Sequence, residues 1–191
     1  MSEHPFRLVV SDVDGTLQDS IHQISAYTIR VIRCLPEKGI LFTISTGKLL
    51  PAVQEPAQRL GIQIPLITSN GSVLQYANGQ MIHAKYIDPQ VVHRIIQLVS
   101  PYEVDITVCT PLSVYTRRIT AGVRAMMDFG PPQPREIPSW EYLGGDVKQV
   151  IKLVLLNLNG PSALAPVADI LSRNLDGRVS CFPTMPYMLE V

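Results

Sequence analysis

The spacing of apolar positions changes character along the chain. Leu8, Val9 and Val10 form a continuous, β-branched-rich run of the kind a buried strand needs, and Asp12, Asp14 and Gly15 interrupt it where such a strand would end. Ile24, Tyr27, Val31 or Ile32, and Leu35 then recur at helical spacing, with Ser25 available as N-cap and Gly39 as the stop. Residues 40–45 (ILFTIS) read as a second short buried strand that ends in Thr46, Gly47 and Lys48, and a helical pattern follows over 51–60. Leu66, Ile67 and Thr68 give a third strand, ending in Ser69, Asn70 and Gly71. Strands alternating with helices predict a parallel sheet, and ligands of open parallel sheets bind outside the carboxyl ends of the strands. Polar and glycine residues stand at all three of these ends.

Beyond Gly71 the pattern becomes alternating on both sides of Asn78-Gly79, the strongest short hairpin signal, and a second domain is expected to begin there, dividing the chain into 1–78 and 79–191. The spacing predicts a helix from Asp88 or Pro89 to Val99, strands over 105–108 and 113–116, and a helix over 121–129. Gly130-Pro131-Pro132 and Pro134 require irregular chain. A long strand is expected over 147–158, then a helix over 162–175 with Ser162 as cap and Gly177 as stop, and a closing strand or strand pair over 179–182 and 187–191. This unequal mixture is an α+β module.

Composition narrows the setting without naming the chemistry. The 191 residues are 46% hydrophobic and 17% charged, with 16 basic and 16 acidic side chains. A neutral chain has no bulk-charge reason to bind nucleic acid or an anionic membrane. No apolar run reaches the roughly 18 residues of a membrane span, and residues 1–10 lack a signal-peptide pattern, so the cytoplasm is expected. Cys34, Cys109 and Cys181 are scattered without metal or redox spacing and read as core thiols; His4, His22, His83 and His93 are likewise isolated.

The candidate chemistry sits at the strand ends. Residues i and i+2 of a strand share a face, so Asp12 and Asp14 can point into one crevice as the chain turns at Gly15. Close carboxylates repel unless something positive separates them, and a divalent cation is the obvious third party; the alternative is that both aspartates are turn formers. Thr46 with Gly47 and Lys48, and Asn70 with Gly71, offer hydroxyl, backbone and amide donors to an anion, while each is also an ordinary loop sequence.

The string SDVDGTL over residues 11–17 resembles the first motif of the haloacid dehalogenase superfamily, DxDGT(L/F) after an apolar strand. STGK over 45–48 is similar to its second motif, with Lys48 where arginine is usual, and TSNGS over 68–72 to the NG that ends its third strand. The resemblance spans the chain and implies an α/β fold: a partial Rossmann-like core of three parallel strands over 1–78, followed by an α+β cap of the IIB type, as in Cof-type phosphatases. It implies Mg²⁺-dependent hydrolysis of a small, sugar-phosphate-like metabolite. Asp12 would be the nucleophile, forming an aspartyl-phosphate, and Asp14 the general acid and base. Both would belong to the metal site, with Thr46, Gly47, Lys48, Asn70 and Gly71 around the phosphate. Tyr115, Arg117, Arg118, Arg124, Trp140 and Tyr142 are cap candidates for substrate selection.

One departure accompanies these matches. The family's next lysine and its GDxxND segment, which complete the phosphate and Mg²⁺ sites, have no counterpart here; YMLEV at the end resembles the strand just before them. The chain is therefore expected to be truncated, with impaired chemistry and an uncovered core edge. Gly145-Asp146 precedes a strand and lacks the following ND, which leaves Lys48 as the candidate stand-in for the lysine. The alternative function is a non-catalytic interaction protein, or a homo-oligomer formed through that edge.

Overall fold

The computed structural model describes residues 6–19, 21–175 and 177–191. The chain divides into two units, Met1–Lys85 and Tyr86–Val191. In the first, β1 (Leu8–Ser11) pairs in parallel with β2 (Leu41–Ile44), in a register that sets Leu8 against Leu41 and Ser11 against Ile44. A parallel bridge from Ser45 to Ile67 carries the order on to β3 (Leu66–Thr68). The Thr43 hydroxyl donates to the Pro65 carbonyl at 2.7 Å, which fixes the start of β3 against β2.

The connecting helices follow the sequence pattern. In α1 (Ala26–Cys34) the Ser25 hydroxyl accepts the Thr28 N–H at 3.0 Å, as an N-cap should, and the left-handed Gly39 closes the turn after the helix. Helix α2 (Leu50–Leu60) buries Leu50, Val53, Ala57 and Leu60 at the spacing of one helical face, and left-handed Gly61 ends it. These pack with Val13, Phe42, Ile44 and Leu66 into the first core. The α1 stripe is only partly used: Ile32 is buried, while Tyr27 and Val31 are exposed.

Strands β3, β4 (Val73–Gln75) and β5 (Met81–Ala84) form an antiparallel meander, with Asn78 and left-handed Gly79 at its hairpin. Because β5 pairs back onto β4 and Lys85 N–H donates to the Ser72 carbonyl, the hairpin belongs to the first unit. The observed division therefore falls after Lys85, seven residues beyond the expected 78.

The second unit contains α3 (Pro89–Val99), β6 (Asp105–Cys109), β7 (Val114–Thr116), α4 (Ala121–Met127), β8 (Arg135–Glu136), β9 (Lys152–Leu156), α5 (Pro161–Asn174), β10 (Phe182–Met185) and β11 (Met188–Glu190). Its sheet has the order β10-β11-β9-β6-β7-β8, antiparallel except for β7–β8. One face carries Val108, Leu153, Leu155, Leu189 and Val191 and packs on Val92, Ile95 and Val99 of α3 and Leu164, Val167 and Leu171 of α5. β9 is buried on both faces, Val154 and Leu156 lying opposite Leu153 and Leu155, so its register is held by its ladders with β6 and β11.

Three expectations fail locally. The strand expected over 147–158 shortens to Lys152–Leu156, because Gly144, at φ 49°, is part of a series of tight turns over Trp140–Gln149. Helix α5 begins at Pro161 behind Gly160, one residue before the expected Ser162 cap, since proline at the first turn already supplies the helical φ. The strand expected over 179–182 starts only at Phe182, paired with β11. Of the cysteines, Cys109 is a core thiol, its pKa pushed up to about 11 by burial, and burial raises Cys181 as well; Cys34, by contrast, is exposed.

Candidate active site

Asp12 and Asp14 are separated by the residue that builds their loop. Val13 is 1% exposed and anchors the first core, so its neighbours on either side are turned outward into an exposed loop. Its carbonyl accepts the N–H groups of Leu17 and Gln18 at 3.0 and 2.9 Å, with Thr16 at 3.4 Å, and Gly15 supplies the left-handed φ of 69° that the reversal needs. Asp12 Oδ1 accepts the Val13 N–H at 2.7 Å.

The next two strand ends lock onto this one in sequence. Ser45 N–H donates to the Ser11 carbonyl at 2.9 Å, which brings the start of the STGK loop beside the start of the aspartate loop. Thr46 N–H donates to Ile67, while the carbonyls of Thr46 and Lys48 accept the N–H groups of Asn70 and Ser69 at 3.1 and 3.0 Å. Ser69 and Asn70 both hold left-handed backbone, at φ 53° and 55°, which costs a residue with a Cβ roughly 1–2 kcal/mol each. Those two inter-loop hydrogen bonds, each contributing about 1 kcal/mol, are what offset the strain. Strained backbone held by its surroundings is characteristic of functional sites.

The side chains complete the connection. Lys48 Nζ donates to Asp14 Oδ1 at 2.7 Å, with the lysine side chain 16% exposed and the aspartate 46%. The pair is a charge-assisted hydrogen bond spanning 34 residues of sequence, worth on the order of 1 kcal/mol at a half-exposed position. Thr46 is buried, and its Oγ1 accepts the Lys48 N–H at 3.2 Å, which leaves the hydroxyl proton to be donated elsewhere. Gly47 lies under Asn70: a Cβ built there would stand 2.7 Å from Asn70 Oδ1. A side chain at 47 would therefore require the Asn70 amide to shift.

Asp12, Asp14, Thr46, Gly47, Lys48, Asn70 and Gly71 accordingly stand on three loops that are joined to one another in the first unit. The structure adds His22, whose Nδ1 is 3.8 Å from the same Asp14 oxygen. No spacing pattern marks it, because a left-handed residue in a turn organised by Asp19 carries it there. In the second unit Arg117, Arg118, Arg124 and Tyr142 are exposed, and Trp140 packs against the core. Asp146 receives the Tyr115 hydroxyl, a bond that, after burial, raises the tyrosine pKa. Its role there is structural.

A model of the haloacid dehalogenase-like hydrolases matches residues 9–191. A putative phosphatase of Buchnera aphidicola subsp. Baizongia pistaciae is 35% identical over 92 residues, which are 48% of this chain and 34% of that protein. The HMP-PP phosphatase of Cronobacter sakazakii is 29% identical over 90 residues, 47% of this chain and 33% of that protein. The chain therefore matches about a third of the length of these curated relatives. Among solved structures, a haloacid dehalogenase-like hydrolase from Bacteroides thetaiotaomicron superposes with a TM-score of 0.85 at 21% identity, over 97% of this chain and 70% of that one. A Thermotoga maritima protein gives 0.83 at 24%, over 97% and 68%. Both have the same fold.

The packing of Gly47 beneath Asn70 makes a direct prediction. Gly47→Ala should destabilise the protein by about 1–3 kcal/mol in urea unfolding, the usual cost of overpacking. In an Asn70→Gly background, which keeps the left-handed backbone and removes the obstructing amide, the same change should cost less than about 0.5 kcal/mol.

Proposed function

Because the chain belongs to the haloacid dehalogenase-like hydrolases, we propose that it is a phosphomonoesterase acting on a small phosphorylated, sugar-phosphate-like metabolite at the joined ends of β1, β2 and β3. The observation that carries this reading is the linkage of three loops, each bearing groups suited to phosphoryl transfer, by backbone bonds and by Lys48 on Asp14. Asp12 attacks phosphorus; the bond to the leaving oxygen breaks, and Asp14 gives that oxygen its proton. Water then attacks the aspartyl-phosphate, passes its proton to Asp14, and releases phosphate and the Asp12 carboxylate. Thr46 donates its hydroxyl to a phosphate oxygen, the absent side chain of Gly47 lets the anion approach the backbone, and Asn70 and Gly71 border the leaving group.

The donor set suits Mg²⁺. The Asp12 carboxylate and the Asp14 backbone carbonyl are hard oxygen donors on an exposed loop, and Mg²⁺ commonly combines a carboxylate with substrate phosphate while keeping several waters. Among the described residues no group of three or more His, Cys, Asp or Glu is placed to hold a metal ion. Bound at the aspartate loop, Mg²⁺ would offset the negative charge of nucleophile and phosphate.

We assign Tyr86–Val191 the role of a substrate-selecting cap, with the exposed Arg117, Arg118 and Arg124 as cations suited to a second anionic group of the substrate. We place the activity in the cytoplasm, where phosphorylated metabolites are kept; no described helix is long and apolar enough to cross a membrane. A second reading, self-association through β1, draws on one specific feature. Leu8, Val9 and Val10 are 49, 37 and 45% exposed, and among the described residues β1 pairs only with β2. Sedimentation at micromolar concentration decides it: a dimer that Val9→Lys converts to monomer supports the edge, and a wild-type monomer removes it.

With an aryl phosphate and Mg²⁺, Asp12→Asn should reduce turnover to the uncatalysed background, and Asp14→Asn should lower kcat by about 10²–10⁴-fold, the usual contribution of a positioned acid–base group. Unchanged turnover in Asp12→Asn would exclude Asp12 as nucleophile.

A further inference from the structure

We propose that Lys48 is a positioning residue that orients Asp14 for proton transfer, and is not a ligand of the phosphate; this rests on the acid–base role given to Asp14 above. The Asp14 side chain is nearly half exposed and follows immediately before a left-handed glycine, so its own loop does little to select a rotamer. What selects one is the ammonium group at 2.7 Å from Oδ1.

Lys48 is well fixed for that task. Its N–H is bonded to Thr46 Oγ1, its carbonyl accepts the Ser69 N–H, and its side chain is largely buried, so the backbone that carries the stem is fixed and the stem itself is confined by packing. Asp14 lies against a different loop, 34 residues away in sequence, and the bond therefore ties the acid to the strand end that carries Thr46. His22 Nδ1, at 3.8 Å from the same oxygen, is beyond hydrogen-bonding distance and does not compete for this role.

The chemistry of an ammonium group adds a directional consequence. It has three donors and no acceptor, so the oxygen it binds must accept. With Oδ1 turned to the ammonium group, Oδ2 is the oxygen presented away from Lys48. Lysine thereby fixes which oxygen faces the reacting groups as well as where the carboxyl lies. The bond to Asp14 aims one of those donors, and the stem that carries it, at the acid.

The two roles separate in Lys48→Met and Lys48→Arg. A positioning lysine predicts that Lys48→Met lowers kcat for an aryl phosphate by about 10–100-fold, leaves KM within about threefold, and leaves inorganic phosphate affinity measured by calorimetry within about threefold; Lys48→Arg, which still offers an N–H to Oδ1, should recover most of the loss. A rise of tenfold or more in KM and in the phosphate Kd, with kcat unchanged, would overturn the proposal. A double-mutant cycle of Lys48→Met and Asp14→Asn in urea unfolding tests the coupling without turnover: the joint effect on the unfolding constant should depart from the product of the single effects by about threefold or more, and an additive cycle overturns the proposal. Absence of turnover in the wild type would defeat the phosphatase reading alone, since the cycle still decides whether Lys48 holds Asp14.

Discussion

The site depends on the parallel register that runs from β1 through β2 to β3. Parallel ladders set neighbouring strands in the same direction, so their carboxyl ends, and the loops that follow them, lie on one edge of the sheet. Here Ser11 against Ile44, then Ser45 against Ile67, place the three loops side by side, each a residue or two past the last pairing. Slipping β1 by one residue would exchange the outward and inward positions of the aspartate loop, sending Asp12 and Asp14 toward the core and Val13 toward water. The burial of one valine therefore protects the orientation of two carboxylates.

Backbone hydrogen bonds between loops add what the sheet cannot. The carbonyls of Thr46 and Lys48 hold Asn70 and Ser69 in left-handed conformations that an isolated turn would not keep without glycine. Gly47 and Asn70 are matched for space, and Lys48 reaches back to Asp14. The result is a site in which local strain, close packing and one ion pair each rely on a different loop. That interdependence is the physical meaning of the three sequence signatures occurring in order.

Much of this was legible from residue pattern because it is set by short-range physics. Apolar runs identified β1, β2 and β3, the Ser25 cap and Gly39 stop bounded α1, and Asn78-Gly79 marked the hairpin. The pairing of that hairpin with β3 is a tertiary choice, which is why the division of the chain lies after Lys85. Val147 to Gln149 have the composition of a strand, yet the turns around Gly144 absorb them. At the site, residue identities were readable and connectivity was not. No spacing could show that Lys48 binds Asp14, that Gly47 makes room for Asn70, or that His22 lies beside the same carboxylate, because these relations cross between loops.

In the proposed reaction, the register of three strands delivers Asp12 as the group that takes the phosphoryl from substrate. Its most direct test is chemical trapping: rapid acid quench during turnover of a phosphorylated substrate with Mg²⁺, borohydride reduction of any acyl phosphate, and peptide mass spectrometry. Conversion of Asp12 to homoserine is expected, and none at Asp14 or at any other carboxylate. Phosphate release without reduction at Asp12, or reduction at a different residue, would contradict it.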